Sequence, residues 1–216
     1  MIELPKSTVF NKRIPKQKFY EKLDISQTLK KVFVDDIKTI YWKNKISEDT
    51  INIKAGKDVK EIQVFLIKLN QKTFDEKVLL QIDREIPYHI LFILQYEDLY
   101  KEVIGYKEEA MSGNNAYKVS GFYYTEWMEE ELPIKLKGLD LDAVYENLLR
   151  DIGGERLNIQ PNESIEESIA RDEKIQELNK QIEKLKNQRK KTKQINKQMK
   201  ISDKIRVLKR ELEKLK

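Results

Sequence analysis

Between Glu61 and Leu94 the chain runs apolar, then amphipathic, then apolar again, and this rhythm limits the available folds more than any other feature. Ile62, Val64, Phe65, Leu66 and Ile67 form a short, nearly continuous apolar run, as expected of a strand covered on both faces. Thr73 and Glu76 have the spacing of a capping box, in which each side chain satisfies an amide at the helix start. Val78, Leu79, Ile82 and Ile86 mark one face of the helix that follows, and Pro87 stops it. His89 to Leu94 is a second apolar run of strand length. Strand, helix and strand joined by short segments predict a βαβ unit with a right-handed crossover.

The flanking segments extend this unit. Residues 1 to 16, with Pro5 and Pro15, read as an extended arm. Lys16 to Val34 reads as two helical pieces, the first with Phe19, Tyr20 and Leu23 on one face. Ser26 is placed to cap the second, which carries Leu29, Val32 and Phe33. Thr39 to Ile46 is rich in β-branched and aromatic residues and predicts a strand. Ser47 to Thr50 supplies a turn, Ile51 and Ile53 a short returning strand, and Ala55 to Asp58 a second turn. Beyond the unit, Tyr100 to Tyr106 is expected to pair back as a hairpin. Ser112 to Asn115 reads as a polar turn, Tyr117 to Trp127 as a strand, and Pro133 to Lys137 as one more short strand. Glu126 and Glu129 to Glu131 make an acidic rim. Asp140 is placed to cap a helix through Arg150 that turns Leu141, Val144, Tyr145 and Leu148 inward, with Gly153 and Gly154 ending it.

Charge separates the last quarter of the chain from the rest. Residues 162 to 216 carry 17 Lys and Arg against 10 Asp and Glu, a net of +7. The whole chain is +5, so the first 161 residues are close to −2. Between Lys184 and Arg210 there are 12 basic residues and one acidic residue, Asp203. This tail has no Gly, Pro or aromatic residue. Ile175, Leu178, Ile182 and Leu185 step by three and four, as do Ile201, Ile205, Leu208, Leu212 and Leu215, the spacing of coiled-coil seams. Gln188 to Gln194 breaks the pattern. A lone amphipathic helix would leave its seam in water, so a hairpin folding at that break, or an oligomeric coil, is expected instead. The expected architecture is thus an α/β fold, a mixed sheet containing a βαβ unit, over 1–152. A linker follows at 153–161, then a C-terminal coiled-coil helix or helical hairpin at 162–216.

Composition removes several chemistries. Without cysteine, and with His89 as the single histidine, the chain offers no disulfide, no Cys/His zinc site, no thiol nucleophile and little Ser-His chemistry. No apolar run approaches the ~20 residues of a membrane helix, and MIELPKSTVF lacks the features of a secretory signal, so a cytoplasmic protein is expected. His89, opening an apolar strand, reads as a structural residue. Ala55-Gly56-Lys57 lacks the flanking residues of a phosphate-binding loop. Trp42, Trp127, Tyr41, Tyr123 and Tyr124 read as core and strand residues.

Two constellations remain. Lys186, Arg189, Lys190, Lys191, Lys193, Lys197 and Lys200 form a basic stretch suited to nucleic-acid phosphates, without the aromatics that stack single-stranded bases. The seam residues Ile175, Leu178, Ile182, Leu185, Ile205, Leu208, Leu212 and Leu215 are candidates for contact with a partner or a second copy. The second constellation rests on order. Helix, three antiparallel strands, helix and strand from Ser26 to Leu94 resembles the core of restriction-endonuclease-like nucleases. That resemblance implies an acid at Asp49 or Asp58 and an acid-x-lysine on the third strand, where Glu61 and Gln63 stand. Such carboxylates would hold Mg²⁺; no other cofactor is expected. Gln63 departs from the pattern by replacing the lysine.

RIPKQKFYEKL, TIYWKNKISEDTINI, KEIQVFLIKL, IPYHILFIL and TEWMEEE together resemble domain-of-unknown-function family 4391 of bacteria and archaea, over nearly the whole chain. The resemblance implies an accessory role beside a helicase or DNA methyltransferase in restriction-modification-like anti-phage defence. It brings no active site.

Overall fold

A computed structural model describes residues 4–21, 25–109, 117–130, 133–160 and 163–215. The chain divides into two compact units, Met1–Gly154 and Glu155–Lys216. The first is a six-stranded sheet in sequence order: β1 (Val9–Ile14), β2 (Ile37–Ser47), β3 (Glu61–Leu69), β4 (His89–Tyr96), β5 (Leu99–Glu109) and β6 (Tyr117–Tyr124). β3 and β4 are parallel and every other neighbouring pair is antiparallel. The parallel pair is joined through α2 (Glu76–Glu85), so the βαβ unit expected from Glu61 to Leu94 is present.

Alternation along the strands sets the core. Phe65, Ile67 and Leu69 of β3 and Ile90, Phe92 and Leu94 of β4 are buried in one cluster with Val78, Leu79 and Ile82 of α2. Phe33 of α1 (Gln27–Asp36) joins them, together with Ile37 and Ile40 of β2. Ser26 caps α1 as expected, its hydroxyl accepting from the Leu29 amide at 3.2 Å. The start of α2 differs from the predicted capping box. Asp75, not Thr73, is the N-cap and accepts from the Lys77 amide at 2.9 Å. A carboxylate there satisfies an orphan donor and also meets the positive end of the helix dipole, so the helix begins two residues later.

Other local expectations change where a ladder partner decides the outcome. The amino-terminal arm is not free: Val9–Ile14 pairs with β2, and Thr8 accepts from the buried Asn44 amide at 2.9 Å. That strand shields an edge of β2 which would otherwise expose its amides. Ile51 and Ile53 form no strand; the segment makes one isolated bridge, Lys54 to Asp140. Three antiparallel strands still precede α2, but the first is β1, and α1 lies between it and β2. Tyr117–Tyr124 ends before Trp127, because Thr125 turns onto β5: its hydroxyl accepts from the Glu102 amide and its amide donates to the Glu102 carbonyl. Pro133 to Lys137 forms no strand, and the Lys137 amide turns back to the Lys135 carbonyl at 3.0 Å. The Ser112–Asn115 turn, Leu23 and Glu131 lie outside the described residues.

α3 (Leu141–Leu157) is capped by Asp140, which accepts from the Ala143 amide at 2.9 Å, and carries the buried Leu141, Val144, Tyr145 and Leu148. Gly154 breaks it with φ 45° and ψ −132°, a conformation costly for any residue bearing a Cβ.

The second unit contains α4 (Ile165–Lys191) and α5 (Ile195–Glu213), joined by Thr192–Gln194. Ser164 and Glu167 make a complete capping box at the start of α4. Lys174 to Glu211 at 3.3 Å and Arg189 to Ser202 at 3.3 Å show the helices to be antiparallel. The second unit is therefore a helical hairpin that folds within the predicted Gln188–Gln194 break, not one continuous helix. No helix among the described residues is long and apolar enough to cross a membrane.

Candidate functional site

Three polar assemblies stand out, and they differ in how much of their bonding capacity is already used.

The first lies at the start of β3. Register places Ser47 opposite Glu61 and Lys45 opposite Gln63. Glu61 accepts from Lys45 Nζ at 2.8 Å on one oxygen and from Gln63 Nε2 at 2.8 Å on the other. The hydrogen bond it donates to Glu61 holds the Lys45 ammonium above its ordinary pKa. Gln63 is 2% exposed, and its Oε1 has no hydrogen-bond partner. Asp49 sits exposed in the turn after β2, and Asp58 sits exposed in the loop before β3. That loop is tied down by a residue absent from the expected set. Asp142 accepts from the amides of Lys57, Asp58 and Val59 at 2.6, 3.1 and 2.7 Å. A Cβ at Gly56 would fall 2.1 Å from Asp142 Oδ1, so only glycine permits this approach. The acid-x-lysine reading thus finds its acid paired with a lysine from the neighbouring strand. Among the described residues, no group of three His, Cys, Asp or Glu side chains is placed to hold a metal ion.

The second assembly is buried beneath the end of α2. A register shift between Tyr106 and Lys107 in β5 accompanies the inward placement of Lys107. Its Nζ donates to the carbonyls of Asp83 (2.6 Å), Ile86 and Tyr88 (2.9 Å) and to Asp83 Oδ1 at 3.0 Å. A cation thereby satisfies carbonyls left open at a helix C-terminus. Gly105 admits the Asp83 carboxylate, since a Cβ there would lie 2.7 Å from Oδ2. Burial raises the Asp83 pKa, and the same burial lowers that of Lys107. The Tyr145 hydroxyl closes the irregularity, donating to the Gly105 carbonyl and accepting from the Lys107 amide. His89 packs edge-on against Tyr145 with its Nε2 3.3 Å from the Lys107 carbonyl, and burial lowers its pKa to about 4. The lone histidine is a structural residue, as its setting in the sequence suggests. These bonds hold the fold and leave no open donor for a substrate.

The third assembly is the hairpin. Leu178, Ile182, Ile201, Ile205 and Leu212 are buried together, with Ile175, Leu185, Leu208 and Leu215 packed against them. The seam residues expected to meet a partner are therefore filled by the opposite helix of the same chain, and a partner using them would first have to open the hairpin. The base is clamped by Arg171, which donates to both Glu163 oxygens (2.8 and 2.9 Å) and to the Asn158 carbonyl at 2.8 Å. It also reaches the Leu215 carbonyl at 3.5 Å. Its guanidinium holds the Glu163 carboxyl down at about 2. The tip is the opposite case. Arg189, Lys190, Lys191, Lys193, Lys197 and Lys200 are all exposed, and Lys186 is half-buried against Glu183. Among the described residues the only acids paired near this end are Glu183, with Lys186, and Asp203, with Arg206. The sequence locates these cations; only the turn at Thr192–Gln194 gathers them at one end.

A mixed α/β unit followed by a basic helical hairpin defines the class. The chain belongs to the family described as Domain of unknown function (DUF4391), whose family model matches residues 2–212. No curated protein and no solved structure matches it.

Proposed function

We infer that this protein is a non-enzymatic accessory subunit that docks on DNA through the tip of its hairpin, alongside a helicase or DNA methyltransferase of a restriction-modification-like defence system. The observation that carries the DNA contact is the gathering of Arg189, Lys190, Lys191, Lys193, Lys197 and Lys200, all exposed, around one three-residue turn. A phosphate backbone neutralised by such cations releases counterions, so affinity falls steeply with salt. The partner class comes from the family resemblance. The direct test is fluorescence anisotropy of a labelled duplex over a salt series. Arg189→Gln, Lys190→Gln and Lys191→Gln combined should weaken binding and reduce the slope of log K against log salt by about 2 to 3. Equal slopes for the two proteins would end the assignment. For the partner, affinity capture from the native host with nuclease present should recover a helicase or methyltransferase. Loss of that recovery on nuclease treatment would make DNA the only link.

The rival reading, a Mg²⁺-dependent nuclease, rests on three antiparallel strands, a helix and a parallel strand between β1 and β4, with α1 standing between β1 and β2 and not ahead of all three strands as that order requires. The residues at its expected centre do not fit the metal. Both Glu61 oxygens are engaged by Lys45 and Gln63, and Gln63 presents an amide where an ammonium is needed. DNA incubated with Mg²⁺ or Mn²⁺ should stay intact; cleavage abolished by Glu61→Ala would reinstate the nuclease.

A further inference from the structure

The hairpin tip carries a feature that phosphate binding does not use. Ile195, the first residue of α5, is 72% exposed, and Met199, one turn later, is 63% exposed. They share one side of the helix, because side chains four residues apart stand over each other. The seam does not need them: Ile201, Ile205 and Leu212 fill it from a different face. Three exposed lysines stand near the pair in the sequence: Lys193 before it, Lys200 after it, and Lys197 two residues from each member and so on the opposite side of the helix.

An apolar ridge at a cationic hairpin tip suits few surfaces. Two side chains fall far short of the ~800 Å² per partner that a stable protein interface buries. A membrane-surface helix needs an unbroken apolar face, whereas Asn196 and Asp203 interrupt this one before the next exposed apolar residue, Val207. Nucleic acid offers the matching chemistry. Along a closed duplex the bases are stacked on each other and the outer surface is mostly phosphate and sugar. At a duplex end or fork, the flat face of the last base pair is open, apolar and flanked by two phosphate strands. Apolar side chains, methionine and isoleucine among them, lodge against base faces in proteins that unstack duplexes.

We propose that the hairpin tip recognises the end or fork of a DNA duplex, with Ile195 and Met199 lying on the terminal base pair and Arg189, Lys190, Lys191, Lys193, Lys197 and Lys200 on the adjoining phosphates. This rests on the reading of the hairpin as the DNA-docking element, and it specifies the substrate as an open duplex terminus.

The test uses the full chain and three DNA probes of one sequence: an open-ended duplex, a forked duplex, and the same duplex closed by loops at both ends. Open and forked probes should bind about five- to tenfold tighter than the closed one, because only they present an open base-pair face to the two apolar side chains. Ile195→Ser with Met199→Ser should bring the three probes to equal affinity while leaving the salt slope unchanged. Both positions are exposed, so helicity by circular dichroism should match the parent. Equal parental affinity for all three probes would overturn the proposal but leave DNA docking standing. A terminus preference that survives the double substitution would overturn it too. Absence of binding to any probe at low salt would remove the docking reading and this one together. Binding to anionic phosphatidylserine vesicles that the double substitution abolishes, with DNA binding unaltered, would assign the ridge to a lipid surface instead.

Discussion

Lys107 and the lysines of the hairpin tip carry the same ammonium group into opposite surroundings. Lys107 has a side chain 1% exposed, paired with an Asp83 side chain that is also 1% exposed, and it bonds three backbone carbonyls besides. Lys190, Lys191, Lys193, Lys197 and Lys200 stand in water. A buried ion is tolerated only when its bonding capacity is filled, so Lys107 is committed to the fold and unavailable for chemistry. An exposed ion contributes little to stability and keeps its charge for a partner. The contrast separates residues that hold this protein together from residues free to act.

The largest expected effect attacks the buried side. Lys107→Met leaves the Asp83 carboxylate buried without its cation and should cost about 3 to 5 kcal/mol. Both tryptophans, Trp42 and Trp127, lie in the sheet-bearing unit, so the loss should appear as an earlier denaturant midpoint in tryptophan fluorescence. A change below 1 kcal/mol would show that the carbonyl cradle does not need its cation.

His89 tests the same pocket by pH. Its folded pKa of about 4 lies below the ordinary 6.5, so the unfolded chain binds the proton more readily. The His89 contribution is therefore intact above pH 6.5 and is lost as pH falls towards 4, by roughly 3 kcal/mol in all. Asp83 acts in the other direction. Burial raises its pKa to about 6 from 3.8, so falling pH through that window favours the folded state at this site. His89→Gln should consequently flatten or reverse the loss of stability between pH 6.5 and 4. An unchanged pH profile would place the titrating group elsewhere.

Within the hairpin, Ile182→Ala removes a seam side chain that is 4% exposed and should cost about 2 to 4 kcal/mol. Residues 162 to 216 contain no aromatic, so the loss should register in far-ultraviolet circular dichroism and not in tryptophan fluorescence. The smallest effect belongs to the tip. Arg189→Gln, Lys190→Gln and Lys191→Gln should leave stability within about 0.5 kcal/mol while weakening DNA binding. A large stability loss there would dissolve the contrast between committed and free cations.

Much of this architecture is legible in the residues. The βαβ unit follows from apolar runs of strand length on either side of an amphipathic helix, because burial on both faces leaves a continuous apolar signature. Ser26 and Asp140 cap their helices because a short oxygen-bearing side chain accepts from an amide close in sequence. The hairpin break is readable because the two seams fall out of step across Gln188–Gln194.

What needed the tertiary structure is everything set by partners distant in the chain. β1 is a strand because β2 offers it an edge, and nothing in VFNKRI requires that. Ile51 and Ile53, although apolar and alternating, find no ladder. Glu61 reads as a metal-binding acid until the strand register brings Lys45 against it. Lys107 and Asp83, 24 residues apart, resemble ordinary surface charges until a sheet and a helix close over them. Local hydrogen bonds and hydrophobic period are written within a few residues and can be read there; the pairing of a charge depends on which distant segment folds against it.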